Sequence, residues 1–162
     1  MAKESVYIET SLVSYLVAKP GRDLITAARQ QLTIEWWENQ RQNFNLFASP
    51  VVIEEARAGD PNPAAKRLEY LDELTILSVT PEADELAQAL IQKHALPGKA
   101  AQDALHIAVA TIHGMNYLLT WNCKHIANAH LRGAIETTCR LAGFEAPRLC
   151  TPEELSYQEK EK

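Results

Sequence analysis

The chain has 162 residues, 46% of them hydrophobic, and a formal net charge of −5. This is enough apolar material for one domain with its own core, and it excludes a disordered chain. The negative balance argues against a protein that coats nucleic acid by bulk electrostatics, but not against an enzyme that gathers carboxylates around a cation.

In chain order the sequence predicts alternating strands and helices. Ser5 to Ile8 is a β-favouring run, with Thr10 and Ser11 as candidate caps of a helix over Leu12 to Val17 that stops at Lys19-Pro20-Gly21. A long helix follows from Asp23 to about Gln42, carrying Trp36 and Trp37 as anchors or part of a dimer face. Asn45 to Ala48 reads as the second strand. Ser49-Pro50 then opens a helix with a capping hydroxyl and proline in the first turn, and Gly59 ends it. Pro63 to Glu73 is predicted helical and Thr75 to Val79 a third strand. Thr80-Pro81 opens a helix to about Ala95, and Lys99 to His113 forms another. Tyr117 to Thr120 is the fourth strand, Cys123 to Leu141 is mostly helical, and Arg148 to Cys150 is the fifth strand. Thr151 and Glu154 fit a capping box for a last short helix.

This alternation predicts a single three-layer α/β/α domain over residues 1–157, built on a parallel sheet of about five short strands. Residues 158–162 are expected to be a frayed charged tail. There is no run of about eighteen apolar residues, hence no expected membrane span. The opening residues lack the apolar stretch of a signal peptide, so a cytoplasmic protein is expected. Cys123, Cys139 and Cys150 are too few and too scattered for a disulfide framework or a zinc site, and are expected to be buried thiols.

Ligands of open parallel sheets bind beyond the C-terminal ends of the strands. Glu9 follows the first strand and Asn122 the fourth, and both enter one crevice if those strands are neighbours. Asp103 sits near the start of an alanine-rich helix that is apolar nearly all round. A carboxylate there needs a partner: a metal ion, Lys99 one turn away, or a local backbone group that it caps. Glu54 and Glu55 project about 100° apart on their helix, and helical geometry alone does not choose between them. His106 lies three residues after Asp103, within reach of the same site. Trp121 is expected in the core rather than stacked on a base.

Four stretches resemble, in order and spacing, the PIN-domain family and in particular VapC-like toxins of type II toxin–antitoxin modules. They are Tyr7-Ile8-Glu9-Thr10-Ser11, Ser49-Pro50-Val51-Val52-Ile53-Glu54-Glu55-Ala56, Asp103-Ala104-Leu105-His106-Ile107-Ala108-Val109-Ala110, and Leu118-Leu119-Thr120-Trp121-Asn122-Cys123-Lys124-His125-Ile126. The resemblance implies a PIN-like fold and a metal-dependent endoribonuclease. Its catalytic and metal-binding quartet is Glu9, Glu55, Asp103 and Asn122, holding Mg²⁺ or Mn²⁺. The family position selects Glu55 over Glu54. The resemblance also implies Thr10, Thr120, Lys99 and Lys124 as substrate-binding residues, an RNA substrate, an antitoxin partner and a homodimer. Two positions depart from the family pattern. Glu9 stands where an aspartate is usual, moving its oxygens by roughly 1.5 Å, about one C–C bond. Asn122 offers a carbonyl oxygen but no charge. These departures set up the alternative expectation, a catalytically weakened PIN-like module that binds RNA or a protein partner.

Overall fold

Successive residues of a strand point to opposite faces of its sheet, so a strand buried at every position must be covered on both sides. Strand β1 (Ser5–Ile8) is of this kind after its half-buried first residue: Val6, Tyr7 and Ile8 are wholly buried. β1 is central in a five-stranded, all-parallel sheet. On one side lie β2 (Asn45–Ala48) and then β3 (Thr75–Ile76). On the other lie β4 (Tyr117–Leu119) and then β5 (Arg148–Cys150). Register places Tyr7 opposite Phe47 on β2 and Leu118 on β4. The computed structural model describes residues 2–93 and 95–157, so the predicted tail 158–162 lies outside the described residues.

Among the described residues seven α-helices cover the sheet: α1 (Thr10–Val17), α2 (Leu24–Asn39), α3 (Pro50–Arg57), α4 (Pro61–Leu71), α5 (Pro81–Gln92), α6 (Ala101–Ile112) and α7 (Ala129–Leu141). α1 packs against α2, α3 and α4, while α5 packs against α6 and α7, completing the three-layer α/β/α domain expected from the sequence. The small residues of α6 allow close approach, and Ala104, His106, Ile107, Ala108, Val109 and Ala110 are all buried. Each fully buried Leu, Ile or Val of this core contributes roughly 1.5–3 kcal/mol. No helix among the described residues is long and apolar enough to cross a membrane.

Several local expectations are corrected. Helix α1 begins at Thr10 and is capped by Glu9, whose carboxylate accepts from Ser11 N at 2.9 Å, so Thr10 and Ser11 are not the caps. Ser49 is the N-cap residue of α3 but makes no side-chain capping bond, because its hydroxyl pairs with the Tyr7 phenol at 2.8 Å. The segment after Asn122 is a turn rather than the start of a helix. The Asn122 side-chain oxygen accepts from Lys124 N (3.2 Å) and His125 N (3.0 Å), a local closure that competes with helix formation. Thr151 and Glu154 do form the capping-box contact, with Thr151 N donating to Glu154 Oε1 at 3.2 Å, yet only a turn follows. β3 keeps only two paired residues at the sheet edge. Cys123 is exposed, unlike Cys139 and Cys150, and burial raises both buried thiols, Cys150 to about 12.

Candidate active site

The order β3-β2-β1-β4-β5 reverses direction at β1, so chain segments leave β1 and β4 side by side at one edge of the sheet. Glu9 leaves β1 there and is only 6% exposed. Its Oε2 accepts hydrogen bonds from Ser11 N (2.9 Å), Ser11 Oγ (2.5 Å) and Thr120 Oγ1 (2.8 Å). Ser11 Oγ in turn accepts from Trp121 N at 2.8 Å, tying the exits of β1 and β4 together. Asn122 N donates to Thr120 Oγ1 at 2.9 Å. Trp121 is buried, as expected, and its indole donates to Thr33 Oγ1 at 2.7 Å.

Glu55 enters from α3. It is half-buried while Glu54 is exposed, a choice the turn angle alone left open. Thr10 Oγ1, next in sequence to Glu9, donates to Glu55 Oε1 at 2.8 Å. The same oxygen is paired with His106 Nε2. On its other nitrogen His106 is 2.7 Å from the Tyr7 hydroxyl, which reaches Ser49. Burial raises the Glu55 pKa, but the hydrogen bonds from His106 and Thr10 outweigh it, holding the carboxyl below its usual range. The Tyr7 phenol is pushed far upward by burial, with the charges of Glu9 and Glu55 adding in the same direction.

Asp103 enters from the first turn of α6 and pairs with His125, Nδ1 to Oδ2, at 2.9 Å. Lys99, the other candidate partner, is exposed, as is Lys124. His125 stands on the turn that Asn122 organises, so a continuous run of contacts joins the four acidic and amide residues: Glu9 to Thr120, Asn122, His125 and Asp103 on one side, and through adjacent Thr10 to Glu55 on the other. The hydroxyls of Thr10 and Thr120 are both donated to carboxylates. A cavity of about 480 Å³ bordered by Leu16, Trp37, Arg41 and Tyr70 lies apart from this cluster and includes none of the four.

The donor set bears on the metal that the resemblance implies. Each carboxylate is anchored through one oxygen. Among the described residues, Glu9 Oε1, Glu55 Oε2 and Asp103 Oδ1 receive no hydrogen bond from protein. These are hard oxygen donors, with no thiolate among them. Also among the described residues, no three His, Cys, Asp or Glu side chains stand together as a ready-made cage. The chemistry of these donors suits a hard, water-rich ion such as Mg²⁺, which is commonly held by one or two carboxylates and completes its shell with water. Sequence reasoning missed Ser11 and Tyr7, the first taken for a cap and the second for a plain strand residue. It placed His106 near the site without its partner, and gave His125 no role.

A model of the PIN domain matches residues 6–129, and the chain belongs to the PIN-domain family. Among solved structures its fold is similar to that of VapBC2 from Rickettsia felis bound to a DNA fragment from their promoter. The TM-score is 0.53 at 18% identity, covering 74% of this chain and 89% of that one. It is also similar to Mycobacterium tuberculosis VapC20, described as a Sarcin-Ricin loop cleaving toxin, with a TM-score of 0.56 at 18% identity over 80% of this chain and 94% of that one. At such identity the likeness speaks for the fold. Curated protein sequences give no match.

Proposed function

We propose that the protein is a metal-dependent endoribonuclease, a VapC-like toxin held in check by an antitoxin. The observation that carries this reading is the joined cluster at the exits of β1 and β4, where each of three carboxylates keeps one oxygen clear of protein donors. Membership of the PIN-domain family and the likeness of fold to VapC20 and VapBC2 support the same reading.

Glu9, Glu55 and Asp103, with Asn122 at the rim, would hold Mg²⁺ or Mn²⁺, in part through water. When bound, the ion supplies an acidified, oriented water and offsets charge on the phosphodiester. Asp103 Oδ1, left free while His125 holds Oδ2 of the same carboxylate, would take the proton of that water. Asn122 shapes the turn that carries His125 and closes the rim. Lys99 and Lys124, both exposed, bind phosphates flanking the scissile bond, and Thr10 and Thr120 serve the site through the carboxylates to which they donate, Glu55 and Glu9. The partner of this surface is an antitoxin segment, and the active species is a homodimer.

The test is cleavage of RNA by the purified protein with Mn²⁺ and with chelator, beside Asp103→Asn. Mn²⁺-dependent fragments from the wild type and none from the variant are expected. Hydrolysis of small phosphate esters with intact RNA would sink the ribonuclease reading.

A further inference from the structure

His106 is wholly buried, yet each of its ring nitrogens has a partner. A buried imidazole is cheapest when neutral, with one nitrogen donating and the other accepting. The Glu55 carboxylate accepts only, so Nε2 carries the proton. Nδ1 must then accept, and the Tyr7 hydroxyl donates to it at 2.7 Å. That leaves the Tyr7 oxygen to accept from Ser49 Oγ at 2.8 Å. The donors therefore run one way, from Ser49 at the β2–α3 corner through Tyr7 on β1 and His106 on α6, and end on Glu55 of α3. Tyr7 and His106 also meet edge to face, with ring centroids 5.8 Å apart, so the ring cannot turn without leaving its packing.

We infer that His106 is a positioning residue for Glu55: it pins Oε1 against Thr10 and thereby presents Oε2 to the crevice. This rests on the reading that Glu55 serves a divalent ion. A partner that orients a ligating carboxylate governs ion affinity without touching the ion, and losing it costs about 10–100-fold in affinity or activity. Ser49, spent here rather than on capping its helix, is part of the same device.

Two replacements separate the halves of the ring. Glutamine places an amide N–H near the position of Nε2 and retains the donor to Glu55. Asparagine reaches only the Nδ1 position and retains the contact to Tyr7. The measurement is Mn²⁺ affinity by calorimetry on the full chain, with thermal melting alongside. His106→Asn should bind Mn²⁺ about 10–100-fold more weakly, and His106→Gln should recover most of the loss. If His106→Asn does not fold, Tyr7→Phe decides: the freed ring can swap its proton, and affinity should fall several-fold in the same direction. Mn²⁺ affinity equal to wild type in His106→Asn (or in Tyr7→Phe, where that variant decides), or equal weakening in the asparagine and glutamine variants, overturns the positioning role while leaving the nuclease reading intact. A wild type that binds no Mn²⁺ at millimolar concentration and cleaves no RNA overturns both.

Discussion

Glu55 and Asp103 each share a hydrogen bond with a histidine at the same end of the sheet, but the two pairs are built on different ground. The Glu55 pair stands on the core. Its histidine is wholly buried and backed by a tyrosine and a serine from two further elements. The Asp103 pair stands on a surface turn. The difference lies in the histidines: His125 is 15% exposed where His106 is 0%. The carboxylates are both partly open, Asp103 at 21% and Glu55 at 32%, and His125 is held in place through Asn122. Buried polar chains are costly to leave half-satisfied, so the first pair is expected to be rigid and to contribute to stability. The second can adjust its reach, which suits the proton-accepting role proposed for Asp103.

The comparison breaks if chemistry and stability do not divide between the pairs in this way. The largest effect is expected at Asp103. Asp103→Asn should lower Mn²⁺-dependent RNA cleavage by about 10²-fold or more, judged by initial rates, while the denaturation midpoint moves little. Next comes the buried chain. Tyr7→Phe removes one hydroxyl and leaves both His106 Nδ1 and Ser49 Oγ short of a partner. It should cost about 1–3 kcal/mol in urea unfolding, and a neutral result would show the chain to be loosely formed.

Acid should then distinguish the pairs. The Glu55 carboxyl titrates below its ordinary value of 4.5 in the folded protein, so its stabilising contribution is complete above that pH and is lost as pH falls through the lower folded value. The urea midpoint should drop on acidification below about 4.5, and Glu55→Gln should flatten that dependence. The smallest effect is expected at His125. His125→Gln should shift stability by only about 0.2–1 kcal/mol, as for a partly solvated pair, and a larger loss would mean that the turn after Asn122 relies on the imidazole.

Much of the layout was legible in the chain because it depends on local chemistry. Proline after Thr80 and Ser49 marked two helix starts, and β-branched or aromatic residues marked β1 and β3, whereas β5 (Arg148-Leu149-Cys150) has none. The alternation of the two implied a parallel sheet covered on both faces, since parallel strands need crossover helices. The positions of Glu9, Asp103 and Asn122 after strands or at a helix start pointed to one edge of the sheet. Where local reading failed, a distant partner had overridden a nearby one. Ser49 gives up its cap to Tyr7, and the run after Asn122 gives up helix for a turn that carries His125 to Asp103.

By itself, the sequence determined which residue types were present and which segments were strand or helix, because hydrophobic period and turn residues act over a few positions. Tertiary structure decided which of Glu54 and Glu55 turns inward, which histidine meets which carboxylate, and which oxygen of each is left open. Those outcomes depend on side chains from β1, α3, α6 and the loop after β4, brought together by strand order, and local hydrophobic period and turn chemistry do not reach across such distances along the chain.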